Sequence, residues 1–283
     1  MSLASSTSPS QSRVKQEQIK ANIGSRVLNT KQELLQGDLG PALKELLQQR
    51  GVLVFPELHL TDEEQIAFTK TLGKFEPERS SGDGVFKVTL DTNQSASAEY
   101  LKGSLYWHID GTLNDVPILA SILNSRKLSD WGGNTGFCST YAAWENLPEE
   151  KKKELEALRV MHAVWATVFY YEPEPNLEKL KRMQSIGERE LPLVWKHRDG
   201  RKSLILGCTA HRVLGLDPMK SAELLVGLRE WATSEPFSYS HKWSVGDLVI
   251  WDNTGTLHRA EAYDPKSGRL LVRTKLEGDE PFA

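Results

Sequence analysis

Apolar positions recur with two different periods near the start of this chain. Residues 41–50 and 61–72 carry them at three- and four-residue spacing, which predicts two amphipathic helices. Thr61 is placed to be the N-cap of the second helix, and Glu64 completes a capping box. Residues 51–55, between the helices, are a short apolar run bounded by glycine and proline, which predicts a buried strand.

Short apolar runs separated by turn residues make up most of the remaining chain. Apolar stretches lie at 117–123 and 135–139, strands are predicted at 160–167, 191–195, 203–206, 248–252 and 269–276, and helices at 141–146, 148–158 and 218–233. Many short strands, with helices early and in inserts, predict an α+β, mainly β protein. The expected architecture is a double-stranded β-helix (jelly-roll) core with flanking helices.

The pattern predicts one domain with a few added segments. Residues 1–18 are rich in Ser, Thr and Gln without periodicity and are expected to be a disordered or arm-like tail, which leaves 19–283 as the domain. Residues 76–103 are largely polar and irregular, so they are either a lid or a solvent loop without a role. Residues 166–190 are predicted to be an insert close to a pocket.

Composition narrows the class of protein. The 283 residues are 39% hydrophobic, which is enough for a substantial core, and no apolar run approaches the ~20 residues of a membrane span. The start of the chain has no signal-peptide pattern, and two cysteines are too few for a disulfide framework. A net charge of −3 gives no electrostatic case for nucleic acid. A cytoplasmic enzyme without membrane or nucleic-acid partners is expected.

A His-x-Asp motif stands at His108 and Asp110. With 7 His and 38 acidic residues, about one such match arises by chance, and a second match does occur at residues 197–199. That second match lies in a charged Asp-Gly turn and is interpreted as a solvated hairpin tip. On an extended segment His108 and Asp110 point to one face while Ile109 packs on the other. The first match is therefore the candidate metal site.

The end of the chain adds His258, Arg269 and Arg273. Two histidines and one carboxylate suit a mononuclear iron(II) centre with open positions, and they also suit zinc. On a strand the two arginines share a face about 13 Å apart. Guanidinium groups bind carboxylates bidentately, so the pair fits two organic anions, with a salt-bridged surface strand as the alternative.

Together these motifs resemble the taurine dioxygenase (TauD/TfdA-like) family of iron(II)- and 2-oxoglutarate-dependent dioxygenases, over roughly residues 45–283. The matching features are the pair His108 and Asp110, the segments 132–135 and 251–253, His258, the arginines eleven and fifteen residues beyond it, and the segments 51–56, 64–68, 72–73 and 277–282. The combination is specific although each piece alone is common.

The resemblance implies roles for individual residues. His108, Asp110 and His258 would bind iron(II), and Thr135 with Arg269 would hold the distal carboxylate of 2-oxoglutarate. Arg273 would lie near the C1 carboxylate and the primary substrate, a small organic molecule expected to be anionic. With O2 as the oxidant, the reaction would release succinate and carbon dioxide while oxidising a substrate C–H bond. Relatives commonly form dimers or tetramers, so a homo-oligomer is expected.

Three further residues are candidate substrate contacts. Ser104 stands where some relatives carry an asparagine, Tyr106 precedes the motif, and His211 follows the small residues 207–210. Trp251 is expected to brace the metal centre by packing. Two other functions remain open: a zinc-dependent jelly-roll hydrolase, and a noncatalytic binding module with the same fold. Arg269 and Thr135 disfavour the first, because hydrolysis requires no clamp for a keto acid, and the complete ligand set disfavours the second.

Overall fold

The computed structural model describes residues 13–77, 84–93, 95 and 97–283. Most of the predicted tail, and residues 78–83, 94 and 96 of the predicted lid, lie outside the described residues. The described helices are α1 Lys31–Leu35, α2 Gly40–Arg50, α3 Asp62–Leu72, α4 Ala98–Leu101, α5 Thr140–Glu145, α6 Glu149–Leu155, α7 Val164–Tyr171, α8 Leu177–Gln184 and α9 Pro218–Ala232, with 3-10 turns at Lys102–Leu105 and Glu235–Phe237.

The described strands are short, as the turn-punctuated pattern predicted. They are β1 Gln16–Gln18, β2 Ser25–Val27, β3 Val52–Phe55, β4 Phe86–Val88, β5 Ala120–Lys127, β6 Thr135–Ser139, β7 Arg159–Ala163, β8 Glu188–Pro192, β9 Val194–Lys196, β10 Lys202–Leu204, β11 Ala210–Val213, β12 Ser238–His241, β13 Leu248–Asp252, β14 Thr256–Ala260 and β15 Leu270–Leu276.

A seven-stranded sheet in the order β1-β2-β3-β13-β5-β15-β4 is the main layer. Its strand pairs are antiparallel except β2 with β3. A three-stranded antiparallel sheet, β12-β6-β14, lies opposite it, and smaller sheets β11-β7-β8 and β9-β10 lie outside this pair. Two facing, mainly antiparallel sheets with helices outside form the predicted jelly-roll, double-stranded β-helix core.

The alternation of side chains along the main sheet explains its two faces. On β13, Leu248 and Ile250 belong to the core under the N-terminal helices, while Val249 and Trp251 belong to the core between the sheets. A strand buried on both faces reads as a continuous apolar run, as residues 248–251 do. The same division on β3 makes this sheet the wall between a helical layer and the interior of the jelly roll.

Helix α3 covers the outer face of the sheet. Its N-terminus carries the predicted capping box, with the Thr61 hydroxyl accepting from Glu64 N and the Glu64 carboxylate accepting from Thr61 N. Phe68 packs edge-on against Phe55 with ring centroids 5.5 Å apart. The Thr69 hydroxyl lies 2.8 Å from that of Thr274. Thr274 therefore faces the helices, which turns its neighbours on β15 toward the interior.

The gap between the two sheets is filled from both sides. Phe137 on β6 packs against Trp251 on β13 with ring centroids 5.6 Å apart. A second core, centred on the fully buried Trp195, fills the space beneath helices α5 and α9 and the outer sheets. The core between the two sheets includes Trp251, which also lines a cavity, and that cavity is the candidate site.

Three element predictions need correction. The strand predicted at 160–167 ends at Ala163, and helix α7 begins at Val164. This apolar run gave no period by which strand and helix could be told apart. The strand predicted at 191–195 is broken at Leu193 between β8 and β9, which belong to different sheets. The predicted tail is too long, since Gln16–Gln18 pair with Ser25–Val27.

One feature of the fold has a pH-dependent effect that can be measured. Burial raises the pKa of Asp252, at the end of β13, to about 6, although Thr254 donates to it through its main-chain N–H and its hydroxyl. The folded protein thus keeps this proton between pH 4 and 6 where the unfolded chain loses it, so stability falls as pH rises through that window. Asp252→Asn should increase the free energy of unfolding at pH 8 by at most about 3 kcal/mol. The increase would be observed as a higher melting temperature.

The control is Asp247→Asn. Asp247 is also buried, but its pKa is lowered, because burial is outweighed by hydrogen bonds from His241, Ser244 N and Glu57 N. This carboxylate stabilises the fold above its ordinary pKa, so the control should melt lower at pH 8. A melting-temperature difference for Asp252→Asn that is the same at pH 4 and pH 8 would contradict the assignment.

Candidate metal centre and cosubstrate pocket

The two histidines of the candidate site face each other across a pair of antiparallel segments. His108 N donates to His258 O and His258 N donates to His108 O, both at 3.0 Å, in an isolated bridge between β14, which carries His258, and the segment that carries His108. Directly opposed residues in an antiparallel pair point to the same face. The two imidazole rings accordingly lie 4.1 Å apart, centroid to centroid. A single main-chain pairing thus joins two residues that are 150 positions apart in the sequence.

Asp110 reaches the same point because it lies two residues after His108. Its carboxylate oxygens lie 3.7 Å from His108 Nε2 and 3.7 Å from His258 Nε2. Ile109 between the ligands is buried in the other core, as the alternation predicted. One ligand atom from each of the three residues lies within 4.8 Å of the others. The predicted cluster is therefore assembled.

Other groups fix the orientation of these side chains. The Asn253 amide donates to Asp110 O at 2.7 Å and accepts from Asp110 N at 3.1 Å, so it holds the main chain of that residue at both polar atoms. The Ser121 hydroxyl donates to Asp110 Oδ2 at 2.9 Å. His108 Nδ1 lies 2.8 Å from Tyr106 O, and an N–H there leaves Nε2 free to bind a metal.

The electrostatics of the cluster suit a cation. Burial lowers the pKa of His258 to about 3, aided by the neighbouring His108, so His258 is the neutral imidazole that metals require. Burial disfavours the Asp110 carboxylate, but His258, Arg273, His108 and Ser121 together hold its pKa well below the usual range. One carboxylate and two imidazoles within 4.8 Å therefore fit a divalent metal that keeps open positions.

Arg269 and Thr135 form a second polar group along the same cavity. Arg269 is 2% exposed, its guanidinium donates to Gly133 O at 2.8 Å, and it lies 4.5 Å from the Tyr263 ring. Thr135, on β6, accepts from Trp243 Nε1 at 3.0 Å. Gly133 has φ +75°, and a Cβ there would lie 2.8 Å from Arg269 Nε, so only glycine permits this approach. An arrangement with one buried cation beside a polar side chain is suited to an anion.

Arg273 lies two residues beyond Leu271 on the same face of β15, as predicted. Its Nη1 is 3.7 Å from Asp110 Oδ2, and its guanidinium lies 5.0 Å from the Phe86 ring. Arg269, Leu271 and Arg273 all line one cavity of about 400 Å³. The arginines therefore lie at successive positions along a pocket that includes the metal cluster, and the surface salt-bridge alternative does not apply.

The three candidate substrate contacts are placed differently from one another. Ser104 lines the cavity, although its hydroxyl donates to Leu101 O in the preceding turn. Tyr106 is not among the lining residues, and its hydroxyl donates to Tyr170 O. His211 lines a separate cavity of about 180 Å³, and its ring lies tilted against that of Trp165 with the centroids 4.7 Å apart. The small residues before His211 do reach the main cavity, through Cys208 and Thr209.

Trp251 packs as predicted, with its ring centroid 4.5 Å from that of His258. The second His-x-Asp match, at residues 197–199, belongs neither to the candidate metal cluster nor to the lining of the main cavity. His197 begins the tip of the β9–β10 hairpin, but it is buried rather than solvated, with Nε2 2.8 Å from Ser203 Oγ. Arg198 and Asp199 are the exposed tip residues. The pattern of charged residues alone does not predict a buried histidine beneath an exposed hairpin tip.

Sequence reasoning also missed functional candidates. Asn253 lies in the 251–253 segment of the family resemblance, but the sequence does not indicate its role. Ser121 belongs to no motif that would mark it as functional. Lys275 lines the cavity with the two arginines. It lies two residues beyond Arg273, on the strand face that carries Arg269, Leu271 and Arg273, and that alternation is the signal that could have revealed it.

These observations define a metal-dependent enzyme that binds an organic anion beside its metal. The chain belongs to the family described as taurine catabolism dioxygenase TauD, TfdA, which it matches over residues 13–275. It is a 2-oxoglutarate-dependent dioxygenase, an oxidoreductase that oxidises a C–H bond of a small organic substrate and releases succinate and carbon dioxide. None of the described helices has the length and apolar character needed to cross a membrane.

Individual relatives agree with this assignment. The chain is 33% identical to an (S)-phenoxypropionate/alpha-ketoglutarate-dioxygenase of Sphingobium herbicidovorans, over 81% of this chain and 83% of the relative. It is 33% identical to an alpha-ketoglutarate-dependent 2,4-dichlorophenoxyacetate dioxygenase of a Burkholderia species, over 86% and 89%. The crystal structure of AAD-2 in complex with Mn(II) and N-oxalylglycine matches with a TM-score of 0.81 at 28% identity, over 95% of this chain and 99% of that one.

Asn253→Ala tests whether the amide clamp positions Asp110. Without it, the Asp110 main chain loses both hydrogen bonds, so we expect Mn(II) affinity to fall about 10- to 100-fold, as for other residues that orient metal ligands. Titration calorimetry under anaerobic conditions would measure this. Asn146→Ala is the control, because that amide donates to Ala142 O of the preceding helix and is not part of the metal cluster. Unchanged affinity in a folded Asn253→Ala protein would show that the clamp is dispensable.

Proposed function

We propose that the resident metal is iron(II), held by His108, Asp110 and His258, and that O2 is the oxidant. The observation that carries this proposal is the convergence of the three ligand atoms within 4.8 Å beside a buried arginine in one cavity. A bound iron(II) supplies the redox chemistry that couples 2-oxoglutarate decarboxylation to C–H oxidation. The protein positions the metal ligands, sets the charge of the site and limits the access of water to it.

Each ligand has a defined part in this function. The lowered pKa of His258 keeps its imidazole neutral, and Asp110 stays ionised, so both are ready to bind without losing a proton. Asn253 and Ser121 hold Asp110, and the Tyr106 carbonyl orients His108. These three residues would hold iron(II), and the bound metal would supply the chemistry that activates O2.

We propose that Arg269 and Thr135 bind the distal carboxylate of 2-oxoglutarate. Arg269 is desolvated, which lowers its pKa, and an anion would restore favourable charge pairing. The guanidinium is already oriented by Gly133 O and the Tyr263 ring. Arg273, next to Asp110, would contact the C1 carboxylate and the primary substrate. The relative that contains N-oxalylglycine, an analogue of 2-oxoglutarate, supports this use of the cavity.

The proposed primary substrate is an aryloxyalkanoic acid or a similar ether-linked organic anion. Support comes from the relatives that act on phenoxy acids and from apolar walls that include Leu101, Ile118, Leu123 and Met183. Hydroxylation of the carbon between the ether oxygen and the carboxylate would give a hemiketal or hemiacetal. That product breaks its C–O bond, transferring the hydroxyl proton to the departing aryloxide, and yields a phenol and a 2-oxo acid.

We also propose a cytoplasmic location and a homo-oligomeric assembly. Cys138 and Cys208 are buried free thiols, as expected for a reducing compartment. Burial raises the pKa of Cys208 to about 11, so this thiol is unreactive. The oligomeric prediction rests on the family resemblance, and sedimentation of the full chain would determine the number of subunits.

Replacing the ligands tests the metal assignment. His108→Ala, Asp110→Ala and His258→Ala should each abolish succinate formation and lower bound iron from one per chain. His197→Ala is the matched control, because it removes a buried histidine of the rejected motif and should leave iron content intact. Activity supported by zinc in place of iron would favour the hydrolase alternative. Full activity in Asp110→Ala would remove the basis of the assignment.

Arg269→Ala tests the cosubstrate site. Truncating one partner of a desolvated charge pair costs about 2–5 kcal/mol, so the KM for 2-oxoglutarate should rise at least 30-fold. Arg269→Lys should restore binding only in part, since lysine keeps the charge but loses the fork. Arg159→Ala, which removes an exposed surface ion pair with Glu190, is the control. An unchanged KM in Arg269→Ala would place 2-oxoglutarate elsewhere.

A further inference from the structure

A buried histidine outside the metal cluster contacts a residue of the main cavity. His162, on β7, is 0% exposed, and its Nδ1 lies 2.9 Å from the Thr209 hydroxyl. The Thr209 hydroxyl in turn lies 3.4 Å from that of Thr112. Both threonines line the cavity that contains the candidate metal cluster. A short chain of polar groups therefore runs from the interior of the protein to the cavity wall.

The segment that carries Thr209 is fixed beside the metal-binding segment. Cys208 N donates to the carbonyl of Trp107, the residue before the first histidine of the cluster, at 2.8 Å. Thr209 O accepts from Ala163 N at 2.9 Å. Two successive residues of β7, His162 and Ala163, thus hold the side chain and the main chain of Thr209. Its hydroxyl therefore has a defined position next to the candidate metal centre.

The location of the proton on His162 decides what the Thr209 hydroxyl can do. Burial, aided by the neighbouring His211, lowers the pKa of His162 to about 3, so the imidazole is neutral and carries one N–H. Among the described residues, Nε2 has no hydrogen-bond partner, whereas Nδ1 contacts the Thr209 hydroxyl. A buried N–H without an acceptor is unfavourable, which places the proton on Nδ1. The Thr209 oxygen therefore accepts from His162, and its own proton remains to be donated.

The Thr209 hydroxyl can donate to Thr112 or to a ligand in the cavity. A separation of 3.4 Å is long for a hydrogen bond between two hydroxyls, which is usually about 2.5–3.0 Å. An acceptor atom of a ligand can therefore replace this contact at small cost. The donor is uncharged and is held by an uncharged imidazole. It is suited to an uncharged acceptor such as the ether oxygen of an aryloxyalkanoic acid.

We propose that the Thr209 hydroxyl donates a hydrogen bond to the ether oxygen of the primary substrate, and that His162 is the positioning residue that orients this hydroxyl. The inference rests on the proposed function and adds a specificity-determining residue to it. The ether oxygen is bonded to the carbon that is oxidised, so holding this oxygen restricts the position of that carbon. An analogue with a methylene group in place of the oxygen leaves the hydroxyl without a ligand acceptor, and it binds less tightly.

The test compares two acids that differ only at this oxygen. Calorimetry of the anaerobic protein loaded with Mn(II) and 2-oxoglutarate would measure binding of phenoxyacetate and of 3-phenylpropanoate, in which a methylene group replaces the ether oxygen. The wild-type protein should prefer phenoxyacetate. Thr209→Val should weaken binding of phenoxyacetate about two- to tenfold, the effect of one neutral hydrogen bond, and leave binding of 3-phenylpropanoate unchanged. Thr209→Ser should retain the preference.

Two substitutions of His162 test its positioning role. His162→Asn can place an amide N–H near the position of Nδ1 and should retain part of the preference for phenoxyacetate, whereas His162→Leu cannot donate and should lose it. Combining His162→Leu with Thr209→Val should reduce the preference no further than Thr209→Val alone, because both changes act on one hydrogen bond. If His162→Leu does not fold, His162→Asn and the threonine variants still decide the outcome.

Thr167→Val is the matched control. Thr167 also lines the cavity, but its hydroxyl donates within the protein to Cys208 O, so the preference should stay at the wild-type value. Equal weakening of both acids in Thr209→Val, or a wild-type protein without a preference, would overturn the inference while leaving the proposed function standing. If the wild-type protein neither binds phenoxyacetate nor forms succinate with it, the proposed substrate class fails, and this inference fails with it.

Discussion

The main-chain pairing of His108 with His258 is the interaction on which the candidate metal centre depends. Two reciprocal hydrogen bonds of 3.0 Å hold segments from distant parts of the chain in an antiparallel bridge. Because opposed residues share a face, the pairing brings both imidazoles to one side, and Asp110 follows at the next position on that face. A shift of one residue would send a histidine into the opposite core. Asn253 and Ser121 resist such a shift by holding Asp110.

The two faces of the main sheet have different roles, because successive side chains along each strand point to opposite faces. Its outer face packs against apolar helices and polar pairs such as Thr69 with Thr274, and its inner face carries Trp251 and the cations of β15. Charged groups buried on that inner face are unfavourable alone, and they are tolerated where opposite charges or ligands compensate them. Burying charged side chains at the site therefore lowers the stability of the fold, and the same side chains are positioned to bind ligands.

Much of the fold could be predicted because it depends on local patterns. The capping box at Thr61, the helix after it and the strands on either side of the metal cluster all follow from spacing and turn residues. The wrong predictions concern segments in which the local residue pattern does not distinguish one structure from another. The run from Val160 to Thr167 is apolar throughout, so its change from strand to helix at Val164 was decided by packing. His197 was expected in solvent because its neighbours are charged, yet it is buried beneath them.

The sequence by itself determined which residues could bind a metal and two carboxylates, since ligand chemistry and two-residue spacing are local properties. Only the tertiary structure decided which of them share a cavity. It placed Tyr106 and His211 outside the main cavity and admitted Lys275, because cavity membership depends on how distant strands are paired and how the two sheets are packed. The positions of Asn253 and Ser121 beside Asp110 are long-range contacts as well. The local sequence specifies the residues that can bind a metal and carboxylates, and the pairing of distant strands brings those residues together in one cavity.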